Sequence, residues 1–176
     1  VWADESLGSY PSRPQQPSEE HIDAAVELIL KSRKPIFITG GGTLHAQAHV
    51  ELIQLAEFLG APIGTTISAK GTIAETHELA LGTIGTNGST AGSRDAIRES
   101  DLVIYVGCRV GSVTSEKGTN PYNGEKPIIH IDIDPACIGA NYQTDVGLVG
   151  HAKFTLSTLV KKLEKALGEK IHNAWG

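Results

Sequence analysis

Three consecutive glycines, Gly40-Gly41-Gly42, stand directly after the short apolar run Ile36-Phe37-Ile38 and ahead of a helical stretch. Bare backbone N–H groups at such a junction can face a phosphate, or the glycines can simply serve a tight turn. The pattern is neither the spaced-glycine dinucleotide fingerprint nor a Walker loop, since no Gly-Lys-Ser/Thr follows. Thr66, Ile67 and Ser68, with Lys70-Gly71 just beyond, leave a second strand run carrying hydroxyls and a cation. A second glycine-rich loop runs from Leu81 through Asn87-Gly88 and would let a flat ligand lie against backbone. Gly107-Cys108-Arg109 follows the strongest strand run, and Arg109 is read there as an anion binder in preference to a surface residue. His130-Ile131-Asp132-Ile133-Asp134-Pro135 closes another run with two acids. Asp132 is the candidate for ribose hydroxyls, whereas Asp134, before a proline, is read as the cap of a turn.

Other groupings carry no chemistry. His45 and His49 are four apart but lack the glutamate of the metalloprotease pattern, so a solvated helix face accounts for them. Cys108, Cys137 and His130 lack the paired spacing of a metal site and are assigned structural roles. No Gly-x-Ser-x-Gly nucleophile elbow occurs. Neither a catalytic residue nor a metal ligand is assigned.

These loops need elements to hold them. Ser18 is a helix N-cap with Glu19 and Glu20 in the first turn, and Ile22, Ala25, Val26 and Ile29 recur at helical spacing. A long helix is predicted over Gln47–Leu59, with Val50, Ile53, Leu55, Ala56 and Leu59 inward and Gly60 as a left-handed cap. Further strands are predicted at Pro62–Thr66, Asp101–Gly107, Pro127–Asp132 and Val146–Val149. Thr72–Leu81 reads as an irregular connection, Thr90–Glu99 as a helix and Pro135–Ala140 as a short helical turn. A last amphipathic helix is expected over Ala152–Leu167, with Phe154, Leu156, Leu159, Val160, Leu163 and Leu167 on its apolar side. Apolar strands alternating with helices give an α/β fold: a three-layer Rossmann-like domain whose mostly parallel sheet of five to six strands carries helices on both faces. Ligands of such sheets collect at the C-terminal ends of the strands.

The whole chain sets outer limits. Its 176 residues suit one domain, divided as a Pro-containing linker at 1–17, the domain at 18–168 and a tail at 169–176. A net charge of -5 without a Lys/Arg cluster argues against nucleic acid. The apolar runs are strand-sized, which argues against a membrane span, and the polar start lacks the apolar core of a signal peptide. Two cysteines are too few for a disulfide scaffold and suit a cytoplasmic setting. The absence of Met reads as a segment of something longer, with a processed or truncated chain as the competing explanation.

Taken in order, six blocks resemble the middle domain of thiamine-diphosphate-dependent enzymes, most closely the acetolactate synthase large-subunit group. They are Lys34–Gly42, Leu55–Pro62, Thr65-Thr66 to Lys70-Gly71, Leu81-Gly82 to Gly88, Ser100–Gly107 and Ile128–Pro135. The resemblance covers about Ser18 to Leu167. The resemblance implies a three-domain parent with thiamine diphosphate between the first and third domains of different subunits. The activating glutamate and the Gly-Asp-Gly motif for Mg²⁺ would then belong to the flanking pyrimidine- and diphosphate-binding domains, leaving this segment alone catalytically silent. It also implies a homo-oligomer, and a middle domain that holds FAD in acetolactate synthases and ADP or nothing in relatives. Carried over residue by residue, the contacts are Gly40, Gly41, Gly42, Thr66, Ile67, Ser68, Asn87, Gly88, Arg109 and Asp132. The chain departs from the family where Arg-Phe-Asp-Asp-Arg becomes Arg109-Val110-Gly111-Ser112-Val113, where Gly-Asp becomes Gly150-His151, and where His-Gly becomes Asn87-Gly88. The alternative is a free-standing NAD- or FAD-binding or electron-transfer subunit of the same fold.

Overall fold

A computed structural model describes residues 15–168 and Trp175. The predicted tail at 169–176 and most of the predicted linker at 1–17 lie outside the described residues. At the described end of that segment, Gln15 O accepts the His151 N–H at 2.8 Å, and Pro17 sits where any Gly150 side chain would be, 2.6 Å from an added Cβ.

The elements run α1 (Glu19–Lys31), β1 (Pro35–Thr39), α2 (Gly41–His45), α3 (His49–Leu59), β2 (Ile63–Thr65), β3 (Ala80–Thr83), α4 (Ala91–Glu99), β4 (Leu102–Val106), β5 (Ile128–Asp132), β6 (Val146–Val149) and α5 (Ala152–Leu167). Ser18 caps α1 by accepting the His21 N–H. Thr90 and Ser93 form a reciprocal capping box on α4. Gly60, at φ 60, closes α3 in the left-handed conformation that glycine adopts without steric cost.

All six strands are parallel, in the order β3-β2-β1-β4-β5-β6. Within β1 and β4 every residue is buried, because both faces of the central sheet are covered. Phe37, Ile63, Ile104, Val106, Ile129 and Ile131 join α1, α3 and α5 in the larger core. Ile36, Ile38, Val103, Tyr105 and Ile128 point the other way, as the two-residue period of a strand requires. That second face has one helix, α4, supplemented by the connections on either side of β5.

Four local expectations need correction. The helix predicted over Gln47–Leu59 forms as α3 but starts at His49, and a separate, unpredicted α2 begins at Gly41 itself, with Gln47, at φ 49, lying between the two. Val50, assigned inward, is 59% exposed, and Phe154 and Leu167 of α5 are also exposed rather than inward. The third is β3, which occupies the end of the supposed irregular connection and the start of the glycine loop. At Pro135–Ala140 the chain makes successive three-residue turns, Cys137 N to Asp134 O and Ala140 N to Cys137 O, and no helix.

Candidate functional site at the strand switch point

From β1 the chain moves outward through β2 to β3, then crosses back to lay β4 against the other side of β1. Loops leaving β1 and β4 therefore diverge, and a crevice opens above the carboxyl ends of these two strands. It has a volume of about 440 Å³, within the roughly 300–1,000 Å³ of small-molecule sites. Three loops line it: Gly40–Gly42 after β1, Thr66 and Ser68 after β2, and Gly107–Gly111 after β4, joined by His45 and Thr114.

The glycines let two backbones meet. An added Cβ on Gly40 would lie 2.1 Å from Gly107 O, and one on Gly42 would lie 2.8 Å from Gly107 Cα. Gly107, at φ 56, returns the contact: its Cβ would sit 2.6 Å from Thr43 N. Hydrogen bonds seal the crossing, with Gly40 N–H donating to Val106 O at 2.8 Å and Gly42 N–H to Gly107 O at 3.1 Å. Thr43 Oγ1 adds a bond to Val106 O at 3.0 Å. Two of the three N–H groups considered for a phosphate are thus spent on joining the loops. Gly41 differs. Its nearest neighbours are the Ser68 carbonyl and hydroxyl, both 3.3 Å from an added Cβ.

Arg109 makes no salt bridge with any described residue and is exposed, so its guanidinium is available to an anion. Its neighbour Cys108 is a free, buried thiol. Burial pushes that thiol above its ordinary pKa, so it stays protonated and is a poor nucleophile. Cys137 is likewise pushed up, by burial and then by Asp132 and Asp134. Among the described residues no group of three His, Cys, Asp or Glu could hold a metal ion.

Six of the ten predicted contacts converge on the crevice: Gly40, Gly41, Gly42, Thr66, Ser68 and Arg109. Ile67, Asn87, Gly88 and Asp132 do not line it. Ile67 is 57% exposed. Gly88 is committed to packing, with Thr83 Cγ2 2.6 Å from its hypothetical Cβ. Asp132 Oδ1 accepts the Asp134 N–H at 3.0 Å, and Asp134 Oδ1 accepts from Ala136 at 2.9 Å, the capping role expected of Asp134. Gly107 and Cys108, named with Arg109 but not as contacts, also line it, and sequence reasoning missed His45, Val110, Gly111 and Thr114 altogether. Val110 and Gly111 directly follow Arg109 and could have been included on adjacency alone. His45 required knowing that α2 starts at the glycines, and Thr114 carries no sequence signal.

The order of strands and the crevice at its reversal define an open, doubly wound α/β domain of Rossmann-like architecture. The family described as thiamine pyrophosphate enzyme, central domain, matches residues 22–159. The chain belongs to that family. It is 40% identical over 159 residues to a probable acetolactate synthase large subunit of Methanococcus aeolicus, covering 90% of this chain and 26% of that protein. A probable acetolactate synthase large subunit of Methanocaldococcus jannaschii is 42% identical over 143 residues, covering 81% and 24%. The acetolactate synthase large subunit of Corynebacterium glutamicum is 41% identical over 158 residues, covering 88% and 25%. The chain thus spans about a quarter of the length of these relatives.

Proposed function

We propose that this chain acts as the central domain of an acetolactate-synthase-like enzyme that uses thiamine diphosphate and Mg²⁺ to decarboxylate a 2-keto acid and join its product to another. The crevice would hold an adenine nucleotide, either ADP or the ADP half of FAD, as a structural ligand. The observation that carries the reading is the convergence of Gly41, Thr66, Ser68 and Arg109, from three separate loops, on one crevice at the strand switch point. Arg109 would meet a phosphate, and the Thr66 and Ser68 hydroxyls, 3.2 Å apart, would meet phosphate or ribose oxygens. Asp132 has one carboxylate oxygen engaged by its own turn, so it is a weaker ribose partner than its strand position suggests.

Thiamine diphosphate itself does not fit here. Gly-Asp-Gly is absent from the sequence, and the described residues offer no donor set for the metal. Flanking domains of the parent chain and a second subunit would supply both. Among the described residues no helix is long and apolar enough to cross a membrane.

Calorimetric titration with ADP, FAD and thiamine diphosphate tests the proposal. Binding of ADP or FAD is expected, weakened about tenfold or more by Arg109→Ala, the loss of one charge-assisted contact. Tight binding of thiamine diphosphate, or indifference to both nucleotides, would contradict it.

A further inference from the structure

The turn that carries Arg109 is held at three successive carbonyls by three different parts of the fold. Gly107 O accepts from Gly42 N at 3.1 Å. Cys108 O lies 2.8 Å from His130 Nε2. Arg109 O accepts from Asn141 Nδ2 at 3.0 Å. The middle bond is the buried one: His130 belongs to β5, is 2% exposed and stands edge-on to Tyr105 with ring centroids 6.1 Å apart. A carbonyl only accepts, so the imidazole carries its hydrogen on Nε2. The turn it grips is one the chain would not keep unaided. Gly107 and Val110 both have positive φ, 56 and 49, and for a β-branched residue such as Val110 that region is a steric outlier. Strained backbone of this kind persists only where its surroundings over-determine it.

We propose that His130 is a positioning residue of the crevice: with Asn141 behind it, its bond to the Cys108 carbonyl fixes the turn that presents the Arg109 guanidinium to an anionic ligand. This rests on the nucleotide reading for the ligand, though not for the turn. A neutral core histidine placed only to fill space would not need its Nε2–H; a leucine would serve.

The test compares two polar replacements of different reach. In His130→Gln the side-chain amide reaches about as far as Nε2, whereas in His130→Asn it stops short. Titration of the full chain with ADP is paired with hydrogen exchange of the amides at 108–111. We expect His130→Gln to stay within about twofold of wild type in affinity and exchange, and His130→Asn to bind about tenfold more weakly and to exchange about tenfold faster. Equal behaviour of the two variants would overturn the proposal. The exposed Asn141→Ala serves if both histidine variants fail to fold. It should weaken ADP about threefold and speed exchange in the turn, and no change in either would count against the idea. If wild type binds neither ADP nor FAD, the nucleotide reading falls, while the exchange data still judge His130.

Discussion

At the end of the sheet where strands begin, side chains stitch the chain together; at the end where they finish, the crossing of the β1 and β4 loops is made mainly by backbone. The Asp101 carboxylate, just before β4, accepts the Ser32 hydroxyl and the Arg33 and Lys34 N–H groups, tying the entry of β1 to that of β4. Lys126, just before β5, gives its ammonium to three carbonyls, Ile97 O, Arg98 O and Ser100 O, the cationic cap that the last turn of α4 favours. At the other end, glycine backbones cross directly and Arg109, Ser68, Thr66 and His45 are left facing the crevice. Polar side chains consumed in holding a fold are not available to a ligand. Glycine closure at one end sets them free.

Breaking the backbone crossing should have the largest effect. Gly40→Ala puts a methyl 2.1 Å from Gly107 O, a clash with backbone that cannot move aside, so we expect a loss of at least about 3 kcal/mol by urea denaturation. Gly41→Ala, meeting only Ser68 at 3.3 Å, is the control and should change stability by less than about 1 kcal/mol. Equal penalties would show that the crossing is not what demands glycine.

At the opposite end, Asp101→Asn should cost about 1–2 kcal/mol near neutral pH, because a charged acceptor with three donors becomes a neutral one. Although burial opposes ionisation, the Ser32, Arg33 and Lys34 hydrogen bonds leave the Asp101 pKa below its ordinary 3.8. Its contribution is therefore fully present above that value and lost as pH falls through the lowered folded pKa. The variant's acid-unfolding curve should lose this component.

His130 titrates in the other sense. Burial pushes the imidazole below its ordinary 6.5, with the Cys108 carbonyl and Asp132 opposing; Tyr105 is the titratable ring beside it on β4. The unfolded chain then binds the proton more readily, so stability is complete above pH 6.5 and declines as pH falls towards the lowered folded value. Denaturation midpoints from pH 7.5 to 5 should show this slope in wild type and a flatter one in His130→Gln. The smallest effect is expected for Arg109→Ala. With no ion pair to any described residue, its removal should alter stability by less than about 0.5 kcal/mol while still weakening nucleotide.

Much of the fold was legible because it rests on local chemistry. The runs 102–106 and 128–131 are apolar at every position but His130, and Ser18 announces α1. The misses have equally local causes. Ala80-Leu81-Gly82-Thr83 has little β-branched character and pairs on one side only, so nothing in its composition separates a strand from a loop. α2 opens with two glycines, poor helix formers, and forms where the β4 end receives the N–H of its N-cap Gly40, at Val106 O, and of Gly42, at Gly107 O. Among the predicted contacts, Gly40, Gly42 and Gly88 show the limit of reading glycine as ligand contact: all three face protein atoms closer than 3.0 Å from an added Cβ.

Residue order alone determined the parallel α/β class, the family and the edge of the sheet where a ligand would lie, since apolar period, caps and strand-end residues are all written locally. Only the folded arrangement decided which glycines serve packing, that Asp132 is partly engaged by its own turn, and that His130 and Asn141 reach the Arg109 loop. The last two contacts join atoms separated by 22 and 32 positions along the chain, brought together by strand pairing that no local pattern encodes.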